Sequence, residues 1–278
     1  MEGNKLTNTY KVCVVDVDGT LVDNNHQIPL ANVIAIKKMR ERGIPLILMT
    51  ARSLFDLRTI TRTLNLENEL AITEGGGRIR YLGDNQAIVR EAYLTSEVLK
   101  QLFEIGEEFK VSPVVYVKDK TFTEDTDNPY LEIFENSMRT TVQLSEDLSR
   151  TVRGHKIAKV LFLSEPEKIV NIEKKINSKT QGCAYTSRSL PFALDISATT
   201  KKEALIYVLD KLQIASKDCV VIGDSFGDLE AIEHAGLGVA MGNSPREVKM
   251  AADFVTASND EGGVAEVIRS IFLQEESE

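Results

Sequence analysis

The sequence predicts an α/β protein built on a parallel sheet, and three observations carry that prediction. Short apolar runs alternate with helix-length amphipathic stretches along most of the chain. Several of these runs stop at a polar or glycine-containing turn, as at Asp16-Val17-Asp18-Gly19-Thr20, Thr50-Ala51-Arg52-Ser53 and Gly223-Asp224. A middle region has its own alternation and interrupts a rhythm that returns in the last third, which is the pattern of an inserted domain.

The first run, Val12-Cys13-Val14-Val15, delivers two carboxylates, Asp16 and Asp18, to the end of a strand. Side chains at i and i+2 share one strand face, so this pair would repel unless a cation or a shared proton relieved it. Gly19 breaks the strand and Thr20 is placed to cap the next segment. On its own, the stretch also reads as a strand running into an acidic turn. Apolar residues at Val33, Ile34, Ile36 and Met39 predict a helix over 30–40 that ends at Gly43. A buried strand over 44–49 tolerates Pro45 near its start. A helix over 54–64 and a strand at 71–73 come next, and turns at Glu74-Gly75-Gly76-Gly77 and Gly83-Asp84-Asn85 flank a strand-like 79–82.

Beyond that point the pattern changes. Positions 88–89 read as strand, 96–109 as helix, 113–117 as strand, 130–138 and 146–151 as short helices, 157–163 as strand, 165–176 as helix and 184–186 as strand. The expected division is an inserted α/β domain over 84–188, with 1–83 and 189–278 forming the main domain. In the last third, strands are expected at 192–196, 218–222, 237–240 and 254–255, with helices over 200–212, 226–234, after Ser244-Pro245, and over 263–272. The two outer thirds are expected to share one sheet.

At 278 residues, with 42% hydrophobic and 27% charged residues, the chain can bury one large core or two smaller ones. A formal net charge of −9 argues against nucleic acid or an anionic membrane as a partner. No apolar run approaches a membrane span, and the start, Met1-Glu2-Gly3-Asn4-Lys5, lacks a secretory core. Three cysteines without Cys-x-x-Cys spacing fit a reducing compartment, so the expected location is cytoplasmic. Cys13 and Cys219 sit in apolar runs as core filler, and His26, His155 and His234 lack spacing for metal or base work.

In parallel α/β sheets, ligands bind at the carboxyl ends of strands. The chain places Asp16, Asp18, Thr50, Glu74 with its glycines, Asp224 and Asp228 there, joined by Lys201 and Lys202 at a helix start. Such a set matches metal-assisted phosphoryl transfer. Oxygen ligands suit Mg2+, a cation screens an attacking carboxylate from an anionic phosphate, and a hydroxyl and an ammonium hold phosphoryl oxygens. Structural alternatives remain beside each residue. Asp224 and Thr50 could be plain helix caps, Asp228 a solvated helix residue, and either lysine a surface group.

The ordered set Asp16-Val-Asp-Gly-Thr20, Thr50, Lys201 and Gly223-Asp224-Ser-Phe-Gly-Asp228 resembles the haloacid dehalogenase (HAD) superfamily. The insertion between Thr50 and Lys201, together with Gly238-Val-Ala-Met-Gly-Asn243 and Asn259-Asp-Glu-Gly-Gly-Val264, is similar to its Cof-type phosphatases. The resemblance implies a Rossmann-like core with a large α/β cap. It implies Asp16 as nucleophile forming an aspartyl-phosphate, Asp18 as general acid and base, and Thr50 and Lys201 as phosphate grips. Mg2+ would be held by Asp16, the Asp18 carbonyl and Asp224, with Asp228 orienting Lys201 or a metal-bound water. Alignment of Thr200-Lys-Lys-Glu-Ala-Leu205 with the family's Lys-Gly-x-Ala-Leu favours Lys201 over Lys202. A carboxylate at 18 is lacking in the dehalogenases and ion pumps of the superfamily, which points to phosphate-ester hydrolysis.

The chain also departs from the subfamily. Ala51 replaces the usual Gly, Gly75 and Gly227 replace Asn, and Lys202 replaces Gly. The expected substrate is a small phosphorylated metabolite such as a sugar phosphate. Arg52, Gly75, Arg188 and Asn243, with Thr50 and Lys201, are the expected contacts, and the expected assembly is a monomer or homodimer. A non-catalytic phosphometabolite sensor on the same fold is the competing expectation, motivated by Gly75 and Gly227. A dinucleotide-dependent oxidoreductase is disfavoured because no Gly-x-Gly-x-x-Gly follows the first strand.

Overall fold

A computed structural model describes residues 10–83, 87–118, 120–138 and 140–275. The polar segment over 1–5, the last two positions of the turn expected at 83–85, and the domain boundary placed at 84 lie outside the described residues.

In chain order the elements are β1 (Val12–Val15), α1 (Leu30–Glu41), β2 (Leu46–Met49), α2 (Arg58–Thr63), β3 (Leu70–Thr73), β4 (Arg78–Tyr81) and β5 (Ile88–Glu91). Next come α3 (Ser96–Phe109), β6 (Val114–Val117), β7 (Lys120–Thr123), α4 (Leu131–Met138), β8 (Val142–Leu144), α5 (Leu148–Val152), β9 (Lys159–Leu163), α6 (Pro166–Thr180), β10 (Tyr185–Leu190) and β11 (Ala193–Ser197). The chain closes with α7 (Lys201–Leu212), β12 (Cys219–Gly223), α8 (Leu229–His234), β13 (Leu237–Ala240), α9 (Arg246–Ala251), β14 (Phe254–Val255) and α10 (Gly263–Val267).

Among the described residues, the larger sheet has eight strands in the order β14-β13-β12-β1-β2-β3-β4-β5. From β14 to β3 the pairing is parallel, and β4 and β5 add antiparallel hairpin strands to that edge. β1 is central because both its faces are apolar and both are covered. Cys13 and Val15 pack with α1 and α10, whereas Val12 and Val14 pack with α7 and α8. Its neighbours come from distant parts of the sequence, β2 on one side and β12 on the other. Connections therefore leave β1 in opposite directions, which opens a crevice at its carboxyl end.

Among the described residues, the second sheet has six strands in the order β10-β11-β9-β6-β7-β8. Val160 and Phe162 of β9 pack with α3 and α6, and Leu161 and Leu163 face α4. Burying Phe162 fully is worth about 2–3 kcal/mol, so this insertion has a core of its own. Sheet membership differs from the expected division at 84 and 188 on both sides. β5 pairs with β4 in the larger sheet, so the crossing into the cap comes after it. β11 pairs antiparallel with β9, Leu194 opposite Phe162, so the strand expected to return to the core belongs to the cap. The return comes at Thr200, whose hydroxyl caps α7 by accepting from Glu203 N. Strands β7 and β8 were not expected, and the helix expected from 226 begins at Leu229.

The turn after β3 fits against the start of α7 through a glycine. Gly76 has φ +107°, and a Cβ there would lie 2.5 Å from the Thr200 carbonyl oxygen. Gly154, with φ +75°, has open space around a Cβ. Gly154→Ala is expected to cost about 1 kcal/mol from backbone strain alone. Gly76→Ala, which adds a backbone clash, is expected to cost at least about 2 kcal/mol. Denaturant midpoints of the two variants read the difference.

Candidate active site

The end of β1 is an extended residue followed by a wide turn. Asp16 keeps ψ 164°, Asp18 has ψ 123°, and Gly19 takes φ +76° before Val22 N closes the turn on the Val17 carbonyl at 3.1 Å. Glycine is required at 19 on two counts, its positive φ and the Asp224 carboxylate, which occupies the place of a Cβ. The turn sends Asp16 and Asp18 to different partners. Asp16 Oδ1 accepts from Lys201 Nζ at 2.7 Å, and the same ammonium donates to Asp228 Oδ1 at 2.6 Å. Asp18 receives a two-pronged contact from Arg52, with Nε to Oδ2 at 2.8 Å and the terminal guanidinium nitrogen to Oδ1.

Asp224 accepts from Thr20 Oγ1 at 2.8 Å and does not cap α8. Asp228 is fully buried, and its Oδ2 accepts from Ser225 N at 3.0 Å and Ser225 Oγ at 2.7 Å. Asp228 therefore ties the loop after β12 to Lys201, which explains why α8 starts late. Lys201 is buried and Lys202 is half-buried, and both line the cavity. The geometry brings Lys201 to Asp16.

Thr50, at the end of β2, is fully buried and its hydroxyl accepts from Arg52 N at 3.1 Å. Its carbonyl accepts from Gly75 N at 3.0 Å, which fastens the β3 turn to the β2 end. Burial raises the Asp16 carboxyl well above the usual carboxylate range; Lys201 pulls it down, and the charges of Asp228, Asp224 and Asp18 push it further up. Burial, then the charge of Asp228, pushes Asp224 up to about 7 against the Thr20 hydrogen bond. Burial alone would lower Lys201, but Asp16 and Asp228 outweigh it and hold the ammonium charged.

These groups sit at one end of a cavity of about 370 Å³ between the two sheets, lined on the core side by Asp16, Asp18, Glu74, Lys201 and Asp224. From the cap come Met138, Lys159, Asp195 and the hydroxyl-rich strand β10. Gly75 and Gly227 both line it, and a Cβ on Gly75 would meet nothing within 4 Å, so the missing amides leave room. Among residues expected at the substrate, Gly75 contributes this space while its N–H is engaged. Arg52 is committed to Asp18. Arg188 lines the cavity, but its guanidinium is paired with Glu173 of α6. Asn243, expected at the substrate, is engaged elsewhere: its Nδ2 donates to the Gly19 carbonyl at 2.8 Å and its Oδ1 accepts from Asn259 N at 3.0 Å. It braces the Asp18-Gly19 turn.

Sequence reasoning missed Lys159 and Asp195, two buried charges from β9 and β11 that meet in the cavity wall. A lysine opening an apolar strand and an aspartate inside one were the available signals, because charges are seldom buried without a partner.

Residues 13–268 match the model of the haloacid dehalogenase-like hydrolases. A Haemophilus influenzae protein provisionally named a phosphatase is 30% identical over 270 residues, covering 95% of this chain and 98% of its own. The 5-amino-6-(5-phospho-D-ribitylamino)uracil phosphatase YcsE of Bacillus subtilis is 27% identical over 93% of this chain and 94% of its own. The crystal structure of a haloacid dehalogenase-like hydrolase from Bacteroides thetaiotaomicron superposes with a TM-score of 0.84 at 29% identity, covering 95% of this chain and 100% of that one. The chain belongs to the haloacid dehalogenase-like hydrolases. Within that family it is an enzyme of the phosphatase type.

Arg52 holds Asp18 through a planar fork that an ammonium cannot reproduce. Arg52→Lys is expected to lower kcat on p-nitrophenyl phosphate about 10–100-fold while KM moves less than about threefold. Steady-state kinetics reads the split.

Proposed function

We propose that this chain hydrolyses the phosphomonoester of a small metabolite with Mg2+, through an aspartyl-phosphate on Asp16. The observation that carries the reading is the division of Asp16 and Asp18 between two cations: Asp16 lies on Lys201 at the cavity floor and Asp18 on Arg52 at its side. The two carboxylates are thereby held apart for separate roles, Asp16 to attack and Asp18, when protonated, to give its proton to the leaving group.

The residues present fit a hard divalent ion. Asp16, Asp224 and Asp228 each offer a carboxylate oxygen, all within 4.8 Å of one another. Asp16, the Asp18 carbonyl and Asp224 would hold Mg2+, and Asp228, occupied by Lys201 and Ser225, would orient them. When bound, the ion screens the nucleophile's charge from the phosphate and stabilises charge on the phosphoryl oxygens.

Asp16 attacks phosphorus as the ester P–O bond breaks, and Asp18 passes its proton to the departing alkoxide. Asp18 then takes a proton from water, whose oxygen attacks phosphorus and frees the Asp16 carboxylate and inorganic phosphate. Thr50 and Lys201 hold the non-bridging oxygens, and the cap sheet keeps bulk water away. The ribitylamino-uracil phosphatase among the relatives supports a small, hydroxylated phosphoester as substrate.

Asp16→Asn is expected to lower kcat by at least about 10³-fold on any phosphoester, and EDTA to abolish turnover until Mg2+ is restored. Phosphate release from a metabolite panel measures both. Turnover by Asp16→Asn within about tenfold of wild type would exclude the covalent route. Binding of a phosphometabolite with no turnover across the panel would favour a sensor instead.

The carboxyl shifts also set a pH dependence for the metal-free protein. A raised carboxyl binds its proton in the folded state over a window where the unfolded chain has released it, so folding is stabilised below the unfolded value. That stabilisation is expected to fade as pH rises from about 4 through the Asp224 value of about 7. Because ligation requires the ionised carboxylates, the rise in Tm caused by Mg2+ is expected to be larger at pH 8 than at pH 6. Thermal melts with EDTA and with Mg2+ at the two pH values check this.

A further inference from the structure

The cap wall of the cavity holds a charged pair that the catalytic chemistry does not use. β9 and β11 are antiparallel, with Lys159 opposite Ser197 and Asp195 opposite Leu161. Successive residues alternate faces, so Lys159 and Asp195 share the face that lines the cavity. Both are at least nine-tenths buried. Lys159 Nζ lies 2.5 Å from Asp195 Oδ1 and donates to the Ala51 carbonyl at 3.1 Å, next to Thr50. It also stands 4.9 Å from the centre of the Tyr116 ring. With these three contacts its charge is satisfied.

Asp195 is not satisfied in the same way. Its Oδ2 has no hydrogen-bond partner among the described residues, although it is shielded from solvent. The buried Ser189 Oγ, from the strand beside β11, has none either, and both residues line the cavity. A buried acceptor left open costs about 1–3 kcal/mol, so the wall is built to meet a donor. A carboxylate can only accept. The group that completes it carries an O–H or N–H; a carboxylate or phosphate there would meet like charge with no proton to give. The other cations lining the cavity do not offset this. Arg188 is held by Glu173, Lys201 by Asp16 and Asp228, and Lys202 adjoins Lys201 at the phosphoryl end.

We propose that Asp195, positioned by Lys159, determines specificity by accepting a hydrogen bond from an uncharged hydroxyl of the leaving alcohol, and so rejects substrates that carry a second anion there. The proposal rests on the phosphatase reading of the same cavity.

Sorbitol 6-phosphate and 6-phosphogluconate provide the test, because they differ at carbon 1 by an alcohol against a carboxylate. The wild-type chain is expected to favour the alcohol by at least about tenfold in kcat/KM. Asp195→Asn keeps the shape, removes the repulsion and adds an N–H donor. It is expected to raise kcat/KM on 6-phosphogluconate at least about fivefold, a gain that a damaged protein cannot imitate. If Asp195→Asn melts early because Lys159 is left unpaired, the double variant Lys159→Met, Asp195→Leu leaves no buried charge. Its preference is then expected to fall within about threefold. Wild-type turnover of p-nitrophenyl phosphate without a preference for the alcohol, or a preference unchanged in the folded variants, would overturn the assignment. No phosphate release from p-nitrophenyl phosphate, from either sugar phosphate or from the metabolite panel would overturn the proposed hydrolysis, and the assignment with it.

Discussion

Three carboxylates share one buried point in this molecule, and the Lys201 ammonium makes that possible. Asp16, Asp224 and Asp228 crowd the carboxyl end of the central strand, where burial and mutual repulsion both disfavour ionisation. Lys201 bridges two of them, and the third leans on Thr20. The surrounding geometry keeps that cluster together. Gly19 leaves room for Asp224, Asp228 gathers the loop after β12 with Ser225, and Thr200 caps the helix that presents Lys201. Such a cluster is a poor source of stability, since buried charges seldom repay their desolvation. Its carboxylate oxygens, within 4.8 Å of one another, are a donor set that a hard divalent cation would fit.

The larger sheet explains why residues 185 positions apart meet. β1 sits where connections diverge, so loops from both halves of the chain pass over its end. The inserted sheet closes the cavity from above and is joined to the core through Lys159 on the Ala51 carbonyl and Arg78 on the Lys118 carbonyl. In the proposed function chemistry and recognition would come from different parts of the chain: the core lines the cavity with Asp16, Asp18, Lys201 and Asp224, and the cap lines it with Asp195, Ser189 and Tyr185.

Much of this was legible in the sequence, for a physical reason. Asp16, Thr50 and Asp224 each stand just past a short apolar run, and a parallel sheet gathers those points at one edge. The cap boundary was not legible. β11 reads as one more core strand before a capped helix, and only its antiparallel pairing with β9 shows that it belongs to the cap. Conversely, β5 lies beyond a turn that looked like the end of the core, yet it completes a hairpin with β4. Asn243 and Arg188 were read from local position, but each is committed to another partner, Asn243 to Gly19 and Asn259 and Arg188 to Glu173. Lys159 and Asp195 are 36 positions apart on strands whose register no local pattern reveals, so their pairing is visible only in the folded sheet.

The central claim is that Asp16 itself takes the phosphoryl group before water does. Two successive in-line displacements, by Asp16 and then by water, restore the original configuration at phosphorus, whereas direct attack by water inverts it. The stereochemical course of hydrolysis, followed with an isotopically chiral thiophosphoryl substrate in water labelled with the third oxygen isotope, distinguishes the two routes. Net retention is the expected result, and net inversion would contradict the role assigned to Asp16.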